Sequence, residues 1–122
     1  MTDVDAFVRK LDKELRTGLL SLMVLRVLDE DRGERYGYQV IQRLKELSDN
    51  GLVVPEGTIY PILHGLQEQG LVRARWGESA NGPPRKYYRL TEDGHRGLAQ
   101  GLRLWRSCVE AAESVVRGTG GK

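Results

Sequence analysis

Val4, Phe7, Val8, Leu11 and Leu15 recur at helical spacing and predict an amphipathic first helix over 4–16, with one narrow apolar stripe. Asp3 and Asp5 stand where negative charge favours a helix N-terminus. Thr17 is placed to cap a second helix, in which Leu19, Leu20, Met23, Val24, Val27 and Leu28 make a broad apolar face. Residues 29–35 are charged and turn-like, with Gly33 as a stop. A third helix over 36–47 turns Val40, Ile41, Leu44 and Leu47 inward, and the run Ser-Asp-Asn-Gly at 48–51 ends it. Pro55 suits the first position of a fourth helix, where its missing N–H costs nothing. There Ile59, Ile62, Leu63 and Leu66 face inward, leaving Thr58, Tyr60, Pro61, His64, Gly65 and Glu68 outside, and Gly70 stops the helix. Segments 71–76 and 85–90 alternate apolar and polar residues, the mark of an antiparallel pair. Their connection contains Asn81-Gly82 but is too long for a tight hairpin. Thr91 caps a last helix carrying Leu98, Leu102, Trp105, Val109, Ala112 and Val116, a stripe suited to packing along another helix.

The predicted fold class is mainly α with a small antiparallel β hairpin. Two short helices joined by a turn and followed by a ribbon form a winged helix-turn-helix. The expected organisation is a winged-helix domain over 1–90, a C-terminal dimerisation helix over 91–117 and a flexible tail over 118–122. The 4–16 helix is expected to pack on the dimer as well. Pro61 inside the fourth helix should bend it, and Gly65 costs about 1 kcal/mol against alanine. Both lie on the outer face, as close backbone approach to a partner would require.

Charge sharpens the picture. Residues 71–90 hold Arg73, Arg75, Arg85, Lys86 and Arg89 against one acid, Glu78, a net of +4 in a chain whose total is +2. A basic ribbon on a near-neutral helical body fits a wing lying along a phosphate backbone. At 122 residues the chain is one domain with a modest core, which a partner chain is expected to complete. No apolar run reaches the roughly 20 residues of a membrane span. The acidic, polar start is unlike a signal peptide, and the single Cys108 forms no intrachain disulfide, so a reduced cytoplasmic protein is expected.

The residues reached so far resemble the PadR family of transcriptional regulators. The likeness is carried by Tyr36-Gly37-Tyr38, by Gly57-Thr58-Ile59-Tyr60-Pro61 and by Leu66-Gln67-Glu68-Gln69-Gly70-Leu71-Val72. It continues in Trp76-Gly77-Glu78-Ser79 and Arg85-Lys86-Tyr87-Tyr88-Arg89-Leu90-Thr91, and spans roughly 15–98. It implies a homodimeric repressor that binds an inverted-repeat operator in double-stranded DNA and is released by a small effector. With one helix after the wing, the chain resembles the short members. Gly65 stands where a basic residue is common in that family.

Tyr36, Tyr38, Thr58 and Tyr60 place hydroxyls at or near helix starts, where they are expected to contact phosphates. One of Tyr36 and Tyr38 is expected to be half-buried instead. His64 lies one turn after Tyr60 and is either a base contact or a solvated surface residue. The fourth helix has no Arg or Lys and a net charge of −2 over 55–70, so the usual arginine–guanine contact is absent. Arg85, Lys86 and Arg43 are therefore expected to supply most of the affinity, and DNA shape part of the specificity. Arg35 is a weaker candidate for such contacts, and the group Arg9, Lys10 and Lys13 reads as a solvated face. Trp76 is expected to pack at the wing base and Cys108 to be a small buried residue. Trp105 is a dimer contact or lines a cavity for a small aromatic effector. The two histidines sit on different helices, and no nucleophile, phosphate-loop or zinc motif is present, so neither an enzyme nor a metal or other cofactor is expected. The acidic fourth helix keeps one alternative open, a winged-helix protein-interaction module.

Overall fold

A computed structural model of the chain describes residues 2–30 and 33–118. Helix α1 (Asp3–Leu28) leads through a short strand β1 (Arg35–Tyr36) into α2 (Gly37–Leu47) and α3 (Glu56–Glu68). The ribbon β2 (Val72–Gly77) and β3 (Arg85–Leu90) then feeds the long α4 (Glu92–Arg117). The mainly helical winged-helix class expected from the pattern is the one observed.

Four expectations about elements need correction. The first two predicted helices are one continuous helix of 26 residues. Thr2, not Thr17, is its cap: the Asp5 amide donates to the Thr2 hydroxyl at 3.1 Å. Nothing between residues 3 and 28 breaks a helix, because elongation past the weak former Gly18 costs far less than a second nucleation. Arg16 helps hold the junction, donating to Asp12 at 2.8 Å and to the Gly51 carbonyl at 2.8 Å. The ribbon is also not two-stranded. Arg35 and Tyr36, predicted as turn and helix start, pair with Tyr88 and Tyr87 and make a sheet of order β1-β3-β2. Leu47, assigned inward, is 51% exposed because α2 ends on it and leaves it overhanging the core. The start of α3 differs by one residue, with Pro55 as its N-cap. Of the tail expected over 118–122, Gly118 caps α4 and residues 119–122 lie outside the described residues.

The core joins the second half of α1 (Leu20, Val24, Leu25, Val27, Leu28) to Val40, Ile41 and Leu44 of α2 and Ile59, Leu63 and Leu66 of α3. Val72, Tyr88 and Leu90 of the sheet close it, with Leu98 from the start of α4. The first half of α1 is exposed throughout, including Phe7 and Leu15.

Thr91 fixes the wing to α4. Its hydroxyl donates to the Gly70 carbonyl at 2.7 Å and accepts from the Gly94 amide at 3.0 Å. Gly94 lies directly against the Leu71 carbonyl, where a Cβ has no room. Gly70, at φ +78, ends α3 and lets the Leu71 amide reach back to the Leu66 carbonyl at 2.9 Å.

Candidate nucleic-acid interface

The outer face of α3, the N-terminus of α2 and the wing meet at one corner of the molecule. Between them lies a depression of about 330 Å³ lined by Tyr36, Gly37, Tyr60, Trp76, Arg85 and Lys86, among others. Its floor depends on Gly37. A Cβ there would stand 2.5 Å from Tyr60 Cε1 and 2.6 Å from both Cζ and the hydroxyl oxygen. The glycine thus lets the Tyr60 ring from α3 lie across the start of α2. Burial first, and the Glu56 carboxylate second, push the Tyr60 phenol up, so it stays a neutral hydroxyl over the physiological range.

The cross-strand register sorts the wing into two faces. Val72–Leu90, Ala74–Tyr88 and Trp76–Lys86 are opposed pairs on the core face. Arg73–Arg89, Arg75–Tyr87 and Gly77–Arg85 are opposed pairs on the other. Tyr87 and Tyr88 accordingly point to opposite sides, with Tyr88 3% exposed in the core. Lys86 leaves the core near the rim, its ammonium 5.8 Å from the Tyr88 ring centre and 5.9 Å from that of Trp76. Trp76, expected to pack at the wing base, is 68% exposed; its lysine contact leaves most of the indole uncovered. On the other face the Arg85 guanidinium lies 4.3 Å above the Tyr36 ring. Tyr36 meets Tyr87 edge to face, with 5.5 Å between centres. A guanidinium over an aromatic face is held in place while its N–H groups stay available.

The structure therefore brings Tyr36, Tyr60, Arg85 and Lys86 together. Thr58 and His64 are exposed on the outer face of α3, and Tyr38 is exposed on α2. Tyr36, not Tyr38, is the half-buried member of its pair.

Arg43 stands apart from this group. Its guanidinium donates to both oxygens of Glu30, at 2.7 and 3.0 Å, and to Glu46 at 3.1 Å. The Glu30 carboxylate also accepts from Arg35 at 3.1 Å. These partners, Arg43 foremost, hold the Glu30 carboxyl below the usual range against the opposing effect of burial. Arg43 thus ties α2 to the end of α1. Arg75 is similarly engaged, donating to both oxygens of Glu34 at 2.7 and 2.9 Å and holding that carboxyl low. The sequence reading missed both clamps, because each joins residues with no fixed helical or strand spacing.

A second concavity, of about 720 Å³ and largely apolar, runs between α1 and α4. Leu15, Leu22, Leu25, Leu104, Trp105 and Val109 are among its walls. Trp105 is 41% exposed. Cys108, predicted as buried, is exposed, because it lines this open groove. Among the described residues no cluster of His, Cys, Asp or Glu could hold a metal ion, and no helix is long and apolar enough to cross a membrane.

The family model described as the transcriptional regulator PadR-like family matches residues 24–100. The transcriptional regulator YqjI of Escherichia coli is 34% identical over 100 residues, which cover 82% of this chain and 44% of YqjI. The chain thus spans less than half the length of that relative. A crystal structure of a PadR family transcriptional regulator from Eggerthella lenta is 32% identical, with a TM-score of 0.79. The match covers 95% of this chain and 97% of that one. A PadR-like regulator from Bacillus cereus is 28% identical with a TM-score of 0.69, covering 86% and 98%. The winged-helix core, the corner of hydroxyl and basic groups and these matches agree: the chain belongs to the PadR-like family of transcriptional regulators.

Proposed function

We propose that the chain is a cytoplasmic, homodimeric repressor that binds an inverted-repeat operator. The observation that carries this reading is the corner where Tyr36, Tyr60, Arg85 and Lys86 surround one depression beside the exposed face of α3. Helix α3 enters the major groove with Thr58, Tyr60 and His64 outermost. Tyr36, Tyr38, Arg85 and Lys86 take the flanking phosphates and fix the register. Arg43 is left out of this set, since three carboxylate oxygens already surround it. With no Arg or Lys on α3, base discrimination rests on hydroxyl, imidazole and backbone contacts and on the shape of the DNA.

The dimer is supported by what a single chain leaves uncovered. Phe7, Leu11 and Leu15 on α1 and Leu104, Trp105, Val109 and Val116 on α4 are exposed apolar residues on two helices of 26 residues each. A partner's helices covering them complete the modest core. The apolar groove beside Trp105 is the proposed place for a flat aromatic effector, whose binding moves α4 and with it the spacing of the two α3 helices.

Selection from a random duplex pool, followed by sequencing, tests the reading. Enrichment of an inverted repeat with half-sites about one helical turn apart supports it. No enrichment, together with a stable complex with another protein, favours the interaction-module alternative that the net charge of α3 keeps open.

A further inference from the structure

The face of the sheet turned away from the core is built from arginines. Arg73 and Arg89 are directly opposed across β2 and β3, and both are exposed. One row further along the same face stands Arg75 beside Tyr87, and the next row holds Arg85 opposite Gly77. Gly77 leaves the space: a Cβ there would stand 2.8 Å from both the Arg75 guanidinium and the Tyr87 ring. Successive rows on one face lie about 6.6–6.8 Å apart. The four guanidinium groups therefore form a strip running from the wing rim back towards α4.

Like charges placed directly opposite on adjacent strands destabilise a sheet. Among the described residues this repulsion is only partly relieved. Glu34 is committed to Arg75 by two hydrogen bonds and only helps Arg89 from a distance. Neither Arg73 nor Arg89 has a hydrogen-bonded or ion-paired carboxylate among the described residues. Their aligned positive charge answers to an extended anion from outside.

We propose that this strip is a second phosphate-binding track, which holds the DNA backbone flanking the operator. The inference rests on the DNA reading above and extends it to a face that points away from α3. Duplex DNA is the favoured anion because the strip is continuous with the proposed interface. Arg85 begins it and also lines the depression beside Tyr60. A linear polyanion matches a linear row of guanidinium groups, which bind phosphate through a planar fork of donors.

The test is the double variant Arg73→Gln, Arg89→Gln, assayed by fluorescence anisotropy on two duplexes. One is the shortest selected duplex that holds a dimer; the other is the same sequence with ten random base pairs added at each end. The variant is expected to match the parent on the short duplex and to lose the parent's added affinity for the long one. Two phosphate contacts per subunit, four in the dimer, change the slope of log K against log salt by about 3.6, so raising salt from 50 to 200 mM should cost the variant about 150-fold less than the parent on the long duplex. Melting of the variant at or above the parent's temperature shows that the fold is retained. Equal behaviour of parent and variant on both duplexes overturns the proposal while leaving the operator reading intact. Binding of a polyglutamate probe by the parent and not the variant, with no effect of duplex length, overturns it in favour of an acidic protein segment. A parent that binds neither duplex instead refutes the DNA reading itself.

Discussion

Gly37→Ala isolates the contact on which the proposed interface turns. The added methyl would meet the Tyr60 ring at 2.5–2.6 Å, whereas carbon atoms at rest sit about 3.5–4.0 Å apart. The ring must therefore retreat by roughly 1 Å or more. Tyr60 is 42% exposed, so it can swing towards solvent rather than strain the core. Overpacking then costs near the lower end of its usual range, about 1 kcal/mol. Alanine repays part of this, since glycine is the poorer helix former by up to about 1 kcal/mol. The net change in stability should stay within about 1 kcal/mol, read from urea unfolding. DNA binding should fall more clearly. Losing one hydroxyl contact to the DNA is worth about 1 kcal/mol, or about fivefold in Kd. Tyr60→Phe should show a similar loss with unchanged stability. If both changes act through the same hydroxyl, the double variant should be no weaker than the worse single one. Additive losses, or wild-type affinity in Gly37→Ala, would refute this role for the glycine.

Other outcomes follow from the same geometry. Lys86→Ala should weaken binding to all sequences alike and lower the salt slope by about one unit per contact, measured by anisotropy. Glu30→Gln should cost about 1–2 kcal/mol at pH 7 by loosening the Arg43 clamp. The folded-state value of Glu30 lies below the ordinary 4.5, so its stabilisation is present above that pH and lost below it. Unfolding curves for parent and variant should therefore converge as the pH falls through the lowered folded-state value. Val109→Glu, at a site 37% exposed in one chain, should turn the dimer into monomers in sedimentation equilibrium. Retention of the dimer would count against α4 as its seam.

The helices with a buried stripe were legible because burial imposes a period that the chain must display. Val24, Val27 and Leu28 on α1 and Ile59, Leu63 and Leu66 on α3 show it plainly. The break expected at Thr17 was not real, because a residue suited to a cap is also tolerated inside a helix. Strand β1 escaped notice because two residues carry no alternation. The grouping of Tyr36, Tyr60, Arg85 and Lys86 was legible as four separate candidates. The Gly37–Tyr60 contact that seats one of them was not, since it joins two helices across a turn. Arg43 looked like a free surface cation, and its partner Glu30 lay in a stretch read only as charged. Charge counted along the chain shows how basic a segment is; the register shows which arginines share a face.

The central claim is that the wing and α3 hold duplex DNA through phosphates. The most direct measurement is the affinity of the intact chain for a selected duplex as a function of salt. Arg85 and Lys86 from two subunits make four contacts and predict a slope of log K against log salt near −3.6 or steeper. A slope near zero, or no binding at low salt, would contradict the claim.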